Sequence, residues 1–404
     1  MKRLVNTIII VVLLAGTFMA SCAKKTEEVK VGILLPLTGP QAITGLKIKN
    51  GYQFAADQIN AGGGIKSLGG VKIKLIYGDT EGQPNVGISE IQRLIERERV
   101  CVIMGCFQSS VAMATTQVAE HLRTPYIVGN PMADEITDQG FGYIFRITAK
   151  SSWMARDQMQ FLEDVGARSG KKVATIALLY EDTDFGQSTA RGQRKYAKEF
   201  GYQIVADLPY PHQTSDITPT ILRIRQANPD VILATSYDTD AVLIMRAMAE
   251  LKYKPTFGYI GSTGGYINPH FISAASALSE HVFTSNLWNH DLKKPAARQF
   301  YDQYKARFQE DPVPQDAIAY AAMYVFKDAL ERCKSIDRDK IRDALVETNI
   351  AGGPTDILPY DRIRFDKTGQ NIEVSLIMVQ IIGGEYVTVW PFEVARKDAI
   401  WPVK

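Results

Sequence analysis

An α/β fold of two similar, doubly wound units is predicted by three features of this 404-residue chain. Apolar strand-like runs alternate with helical stripes in βαβα order from Val29 to Gly129, which argues for a parallel sheet covered by helices on both faces. The same alternation restarts after Thr148. Beyond an apolar leader about 380 residues remain, more than one hydrophobic core usually organises, so two domains are expected.

In the first unit, Val29 to Leu35 reads as a buried strand. Tyr52, Ala55, Ala56 and Ile59 then recur at helical spacing until Gly62-Gly63-Gly64 ends the helix. Val71 to Tyr77 is the next strand, Ile88, Ile91, Leu94 and Ile95 mark a helix, and Val100 to Gly105 is a third strand. A stripe from Val111 through Thr115 and Val118 to Leu122 leads to the short strand Pro125 to Gly129.

In the second unit, Lys172 to Tyr180 is a strand, Gly186 to Phe200 a helix, Gln203 to Leu208 a strand and Thr218 to Ala227 a helix. Val231 to Ala234, Thr256 to Tyr259 and Val282 to Ser285 follow as short strands, with a helix over Ala241 to Leu251 between the first two. Helical patterns cover Pro295 to Phe308, Pro314 to Cys333 and Arg338 to Glu347. Two strand-like runs, Val374 to Ile382 and Glu385 to Trp390, close the chain.

The leader places the chain outside the cytoplasm. Lys2 and Arg3, the apolar run Ile8 to Ala15, and the small residues before Cys22 form a secretory signal peptide too short to be kept as a membrane span. Met19-Ala20-Ser21-Cys22 resembles the lipobox of bacterial lipoproteins, so Cys22 is expected to carry lipid. The polar stretch 23–28 then serves as a tether of about 20 Å at most. The expected location is the cell envelope, on the periplasmic side of a membrane or the outer face of the cytoplasmic membrane.

Without Lys2 and Arg3 the chain holds 44 basic and 44 acidic residues, so nothing in its charge attracts nucleic acid. Cys101, Cys106 and Cys333 are an odd number without CxxC spacing, which indicates neither a disulfide framework nor a zinc site. Strand alternation aims positions 101 and 106 at opposite faces, against a disulfide between them.

Signatures of catalysis are missing. The sequence contains no GxSxG, HExxH or GxxxxGK[ST], and its five histidines have no metal-ligand spacing, so no catalytic residue, metal or cofactor is expected. The glycines from Gly62 to Gly70 precede a strand instead of following one, the wrong context for a dinucleotide loop. Glu181, Asp182 and Asp184 lack the glycine and terminal glutamate of a calcium loop and read as a solvated strand-to-helix connection.

One segment has positive chemistry. Gly105 to Ser110 follows a buried strand and opens a helix, so the Ser109 and Ser110 hydroxyls and free backbone N–H groups converge at a positive helix end. Such an end suits a carboxylate, and it lies where open α/β sheets bind ligands. Ser109 reads equally as a plain N-cap.

Longer stretches carry a family likeness. Val31-Gly32-Ile33-Leu34-Leu35-Pro36-Leu37-Thr38-Gly39-Pro40, Asn50-Gly51, Asp57 to Gly63, Tyr77-Gly78-Asp79-Thr80, Gly105 to Ser110, Ala133 to Thr137 and Phe145-Arg146 occur in that order. Asp184-Phe185-Gly186, Asp216-Ile217, Asn228 to Val231, Arg246 and Phe365 to Gly369 continue the series. Together they resemble the leucine/isoleucine/valine-binding proteins, the substrate-binding components of ABC importers.

The resemblance implies a type I periplasmic-binding-protein fold: two doubly wound Rossmann-like lobes joined by three hinge crossovers. These fall near Thr148 to Ser151, Ser285 to Trp288 and Arg364 to Gly369. The N-terminal lobe would comprise 29–148 and 287–365, and the C-terminal lobe 149–286 and 366–404, with 1–22 as leader and lipidation site. It also implies a monomer that works with an ABC permease in the membrane.

Site residues carry over unevenly. Ser109 keeps the family's serine for the ligand carboxylate, and the next loop becomes Asn130-Pro131-Met132, with Met132 where a threonine is expected. Phe185 and Tyr237 match two aromatic positions of the second lobe, and Thr44 replaces a pocket tyrosine of the first. The acidic partner of the ligand ammonium falls at Thr263, so the counter-charge is missing unless Asp238 or Asp240 supplies it. The expected ligand is a small carboxylate-bearing solute, a branched-chain or other hydrophobic amino acid. The alternatives are an aromatic or aliphatic acid, or a small amide, without an α-ammonium, and a ligand-sensing ectodomain for a partner protein.

Overall fold

The computed structural model describes residues 28–403. The leader, Cys22 and the tether up to residue 27 lie outside them. Glu28, expected in the tether, opens strand β1 (Glu28–Leu35), where it pairs with Lys72 and meets the Lys74 ammonium at 2.9 Å.

The first unit continues with α1 (Ala42–Ala61), β2 (Lys72–Asp79), α2 (Pro84–Gln92), β3 (Val102–Gly105), α3 (Ser109–His121), β4 (Tyr126–Val128), the single turn α4 (Glu135–Asp138) and β5 (Ile144–Arg146). Its five strands are parallel, in the order β2-β1-β3-β4-β5. A strand paired on both sides and covered on both faces has to be apolar throughout. Val31, Ile33, Leu34 and Leu35 of β1 accordingly have no exposed surface.

Helix α5 (Ser151–Ser169) leads to the second sheet and was not expected from the sequence. Its buried face includes Met154, Phe161, Leu162 and Val165, but Asp157 and Gln158 interrupt the apolar stripe. Gln158 is accommodated because its Nε2 donates to the hydroxyls of Ser262 (2.9 Å) and Ser285 (3.1 Å).

The second unit runs β6 (Thr175–Glu181), α6 (Asp184–Phe200), β7 (Gln203–Tyr210), α7 (Thr218–Ala227), β8 (Val231–Thr235), α8 (Asp238–Glu250), β9 (Gly258–Gly261), α9 (Pro269–Ala275) and β10 (Phe283–Asn286). The chain then returns to the first sheet with α10 (Pro295–Phe308), α11 (Pro314–Cys333) and α12 (Arg338–Val346), followed by the ribbon β11 (Asn349–Ala351) and β12 (Arg362–Arg364). It ends in the second sheet with β13 (Ile377–Ile382) and β14 (Glu385–Trp390). That sheet has seven strands in the order β14-β13-β10-β9-β8-β6-β7, with β13 and β14 antiparallel to their neighbours.

Packing explains the return. Phe54 of α1 stands edge-on to Tyr304 and Phe308 of α10, 5.8 and 6.1 Å between ring centroids, and lies 5.7 Å from Tyr320 of α11. Aromatic contacts of this geometry contribute about 0.5–1.5 kcal/mol each beyond area burial. Gly51 lets α1 and α11 touch, since a Cβ there would stand 2.4 Å from the Asp316 carbonyl oxygen.

Between the sheets the first and third passages are laced side by side. Arg146 N–H donates to Gly369 O (2.8 Å), Asn371 N–H to Arg146 O (2.9 Å), and Gln370 Nε2 to Thr148 O (2.8 Å). The second passage leaves β10 at Asn286. Two apolar layers cover each sheet, and the largest also takes in Phe185 and Tyr237 from the second unit.

Candidate functional site

Parallel strands of both sheets deliver their C-terminal ends to one cleft. Ser109 follows β3, Asn130 and Met132 follow β4, Phe185 follows β6, Tyr237 follows β8 and Thr263 follows β9. These six of the eight sequence-predicted residues line a single cavity. Side chains next to a parallel strand's C-terminal end face the crevice that open α/β sheets use for ligands.

The cavity holds about 390 Å³ free of protein atoms, part of it open to solvent. Side chains of the two units meet across the cleft: Ser188 Oγ accepts the Asp134 N–H (3.0 Å), Thr44 Oγ1 donates to Asp238 Oδ2 (3.2 Å), and Arg191 pairs with Glu135.

Ser109 is the first residue of α3, and its hydroxyl caps none of that helix's N–H groups. Its Oγ instead accepts the Ala133 N–H at 3.2 Å, bracing the loop after β4 and leaving the hydroxyl proton free to donate. Arg146 holds the same loop from behind. Fully buried, it donates to Ala133 O (2.6 Å), Thr137 Oγ1 (2.9 Å) and Gln370 Oε1 (2.7 Å). Burial lowers the guanidinium to about 10, against the charges of Asp134, Asp138, Glu135 and Asp366. It keeps its proton at neutral pH.

Aromatic rings close the other side. Tyr237 lies 5.7 Å from Phe185 and 5.6 Å from Phe107 between centroids. Burial pushes the Tyr237 phenol well above its usual range, the Glu181 charge adds to this, and the Ser109 backbone N–H opposes it. The phenol thus stays protonated and can donate.

Glu181 corrects the sequence reading of a solvated loop. It is fully buried, and its carboxylate accepts the N–H groups of Thr183 (2.6 Å) and Gly186 (2.7 Å), capping the helix that carries Phe185. Burial raises its carboxyl, and the bonds from Thr183 and Gly186 counteract that. Among the described residues no cluster of His, Cys, Asp or Glu could hold a metal ion. Cys101 and Cys106 are free and buried, and desolvation pushes both thiols up to about 12.

Two expected residues lie elsewhere. Ser110 is half-buried and does not reach the cavity. Thr44 is drawn away by its bond to Asp238 and lines a neighbouring cavity with Lys47, Asn268 and His270. Phe107, Leu287 and Gln315 line the main cavity without having been expected there. Phe107 sits inside the Gly105 to Ser110 segment, so that segment was the available signal. Gln315 comes from the far end of the chain, and no local pattern marks it.

Neither candidate acid, Asp238 or Asp240, lines the cavity. The Asp238 carboxylate takes bonds from Thr44 and Asn268, and burial raises its pKa against both. Asp240 Oδ2 holds His212 Nδ1 at 2.9 Å and the Gln213 N–H at 3.4 Å. Burial lowers the His212 pKa, but the bond and charge of Asp240, with Glu181 and Asp182, outweigh it and the net shift is upward. No charged side chain lines the cavity.

Comparisons with known proteins agree with this architecture. A Leu/Ile/Val-binding protein homolog 7 of Brucella suis biovar 1 (strain 1330) is 31% identical over 401 residues, covering 97% of this chain and 99% of that one. The leucine-binding protein LivK of Thermotoga maritima MSB8 superimposes with a TM-score of 0.80 at 21% identity, over 89% of this chain and 97% of that one. A solute-binding protein of an ABC transporter from R. palustris, in complex with benzoate, gives 0.77 at 20% identity, over 89% and 95%. The family model of the periplasmic binding proteins matches residues 28–385, and the chain belongs to that family.

Proposed function

We propose that this protein captures a small carboxylate-bearing solute lacking an α-ammonium group, closes its two lobes over it, and hands it to the permease of an ABC importer. The observation that carries the reading is the cavity's charge: Ser109 and the N-terminus of α3 favour an anion, and no acidic side chain is present for an ammonium. An unbalanced buried ammonium would lose its hydration without an ion partner. Support comes from relatives named for leucine, isoleucine and valine and from a structural neighbour in complex with benzoate, a carboxylate without an ammonium.

Closure follows from the geometry. A solute that touches Ser109 on one lobe and Phe185 and Tyr237 on the other binds the closed state better than the open one, and so shifts the population towards it. The protein would be exported as a monomer, anchored through lipid on Cys22, which keeps the trap close to its permease.

A thermal-shift screen tests this. A ligand at 100 times its dissociation constant adds about 2.7 kcal/mol. Aliphatic or aromatic acids should raise the midpoint and the corresponding α-amino acids should not. If no small acid, amide or amino acid shifts it, the capture reading is wrong.

A further inference from the structure

We infer that Gln315 reads a neutral hydrogen-bond donor on the solute, which makes the preferred cargo a hydroxy acid. The inference rests on the capture reading above and specifies its ligand. Gln315 stands in the first turn of α11 directly after Pro314, lines both this cavity and the neighbouring one that holds Thr44 and Lys47, and is 3% exposed. Neither its amide nitrogen nor its amide oxygen has a partner among the described residues. Whichever way the amide is turned, it offers one donating end and one accepting end.

Asn130 Nδ2 is a second buried donor on the cavity wall without a partner. Together with Ser109 these donors suit a carboxylate. They do not use the accepting oxygen of Gln315. A buried acceptor left bare costs its desolvation, so the complementary ligand brings a proton to it. A hydroxyl does so with one proton and no charge. An ammonium brings three protons and a full charge into a cavity whose lining holds no carboxylate. A hydrocarbon chain leaves the oxygen bare.

The test is calorimetry on matched skeletons: leucine, its 2-hydroxy analogue and its deaminated analogue, alongside benzoate and the three monohydroxybenzoates. In at least one skeleton a hydroxy acid should bind about tenfold tighter than both the plain acid and, where present, the amino acid. Gln315→Leu should bring that hydroxy acid to within about threefold of the plain acid, whatever both acids lose in common with the amide N–H. Gln315→Met serves if Gln315→Leu does not fold, and the wild-type ranking decides if neither does.

A plain acid or leucine binding as tightly as its hydroxy analogue, or a variant that keeps the hydroxy preference, overturns the inference and leaves the capture reading standing. If none of these compounds binds the wild type but other small acids do, the inference alone is overturned. If no small acid, amide or amino acid binds at all, both fall.

Discussion

The Phe107 ring of the first lobe stands edge-on to the Tyr237 ring of the second, with centroids 5.6 Å apart and planes at 63°. Phe185 and His212 flank Tyr237 at 5.7 and 5.1 Å, so one phenol is the meeting point of rings from both sides of the cleft. On the proposed function, a ligand that touches this ring would bridge the two sides of the cleft.

Tyr237→Ala should weaken acid binding by more than about tenfold, because it removes both the ring contacts and the phenol. Tyr237→Phe keeps the rings and should cost only about 1 kcal/mol, the worth of one hydrogen bond. Titration calorimetry separates the two. Equal losses would mean that the phenol rather than the ring carries the contact.

Ser109→Ala removes the hydroxyl that faces the cavity and accepts the Ala133 N–H. Affinity for an acid should fall by about 1–3 kcal/mol. Unchanged affinity would reduce Ser109 to a brace for the loop after β4.

Arg146→Met removes three hydrogen bonds from a charged donor, to Ala133 O, Thr137 Oγ1 and Gln370 Oε1, leaving Ala133 O the Ile136 N–H and Gln370 Oε1 the Thr137 hydroxyl. A hydrogen bond to a charged group contributes about 1.5–3 kcal/mol, so losing the three should show in urea denaturation as at least about 3 kcal/mol. Arg146→Lys should recover little, since one ammonium cannot reproduce the planar fork of a guanidinium. A stability within about 0.5 kcal/mol of wild type would contradict the bracing role.

Asp316 gives a pH dependence. Burial pushes its carboxyl up to about 8, against a bond from the Val313 N–H and the Lys47 charge. Between about pH 4 and 8 the folded protein keeps this proton while the unfolded chain releases it, so stability falls as pH rises. Asp316→Asn lacks that loss. Its advantage over wild type should be larger at pH 8 than at pH 5 by at least about 1.4 kcal/mol, the equivalent of one pKa unit. A pH-independent difference would rule this out.

Cys22→Ser should move the protein from the membrane fraction to the soluble fraction of an expressing cell without altering ligand affinity. Wild type recovered wholly soluble would remove the anchor from the account.

The fold was legible wherever burial is simple. Strands such as β1 are covered on both faces and read as unbroken apolar runs, and helices such as α10 and α11 keep their spacing. Helix α5 was hidden because Gln158 and Asp157 interrupt its buried face, and Glu181 because an acidic residue in a loop looks solvated until its two N–H partners are seen. Strand ends and family likeness pointed to six residues that line one cavity. Thr44 lines a neighbouring cavity because it bonds Asp238, 194 positions away, which no local pattern shows. Gln315 was not anticipated because its place in the cavity wall depends on which helix start the returning chain aims at the cleft, and local spacing does not contain that.

A crystal structure of the protein with the tightest acid from the screen tests the central claim most directly. The account predicts the ligand between Ser109 and Tyr237, its carboxylate on the Ser109 hydroxyl and the N-terminal end of α3, with no acidic side chain in contact. A ligand bound outside this cavity, or an ammonium-bearing ligand held there by Asp238 or Asp240, would contradict it.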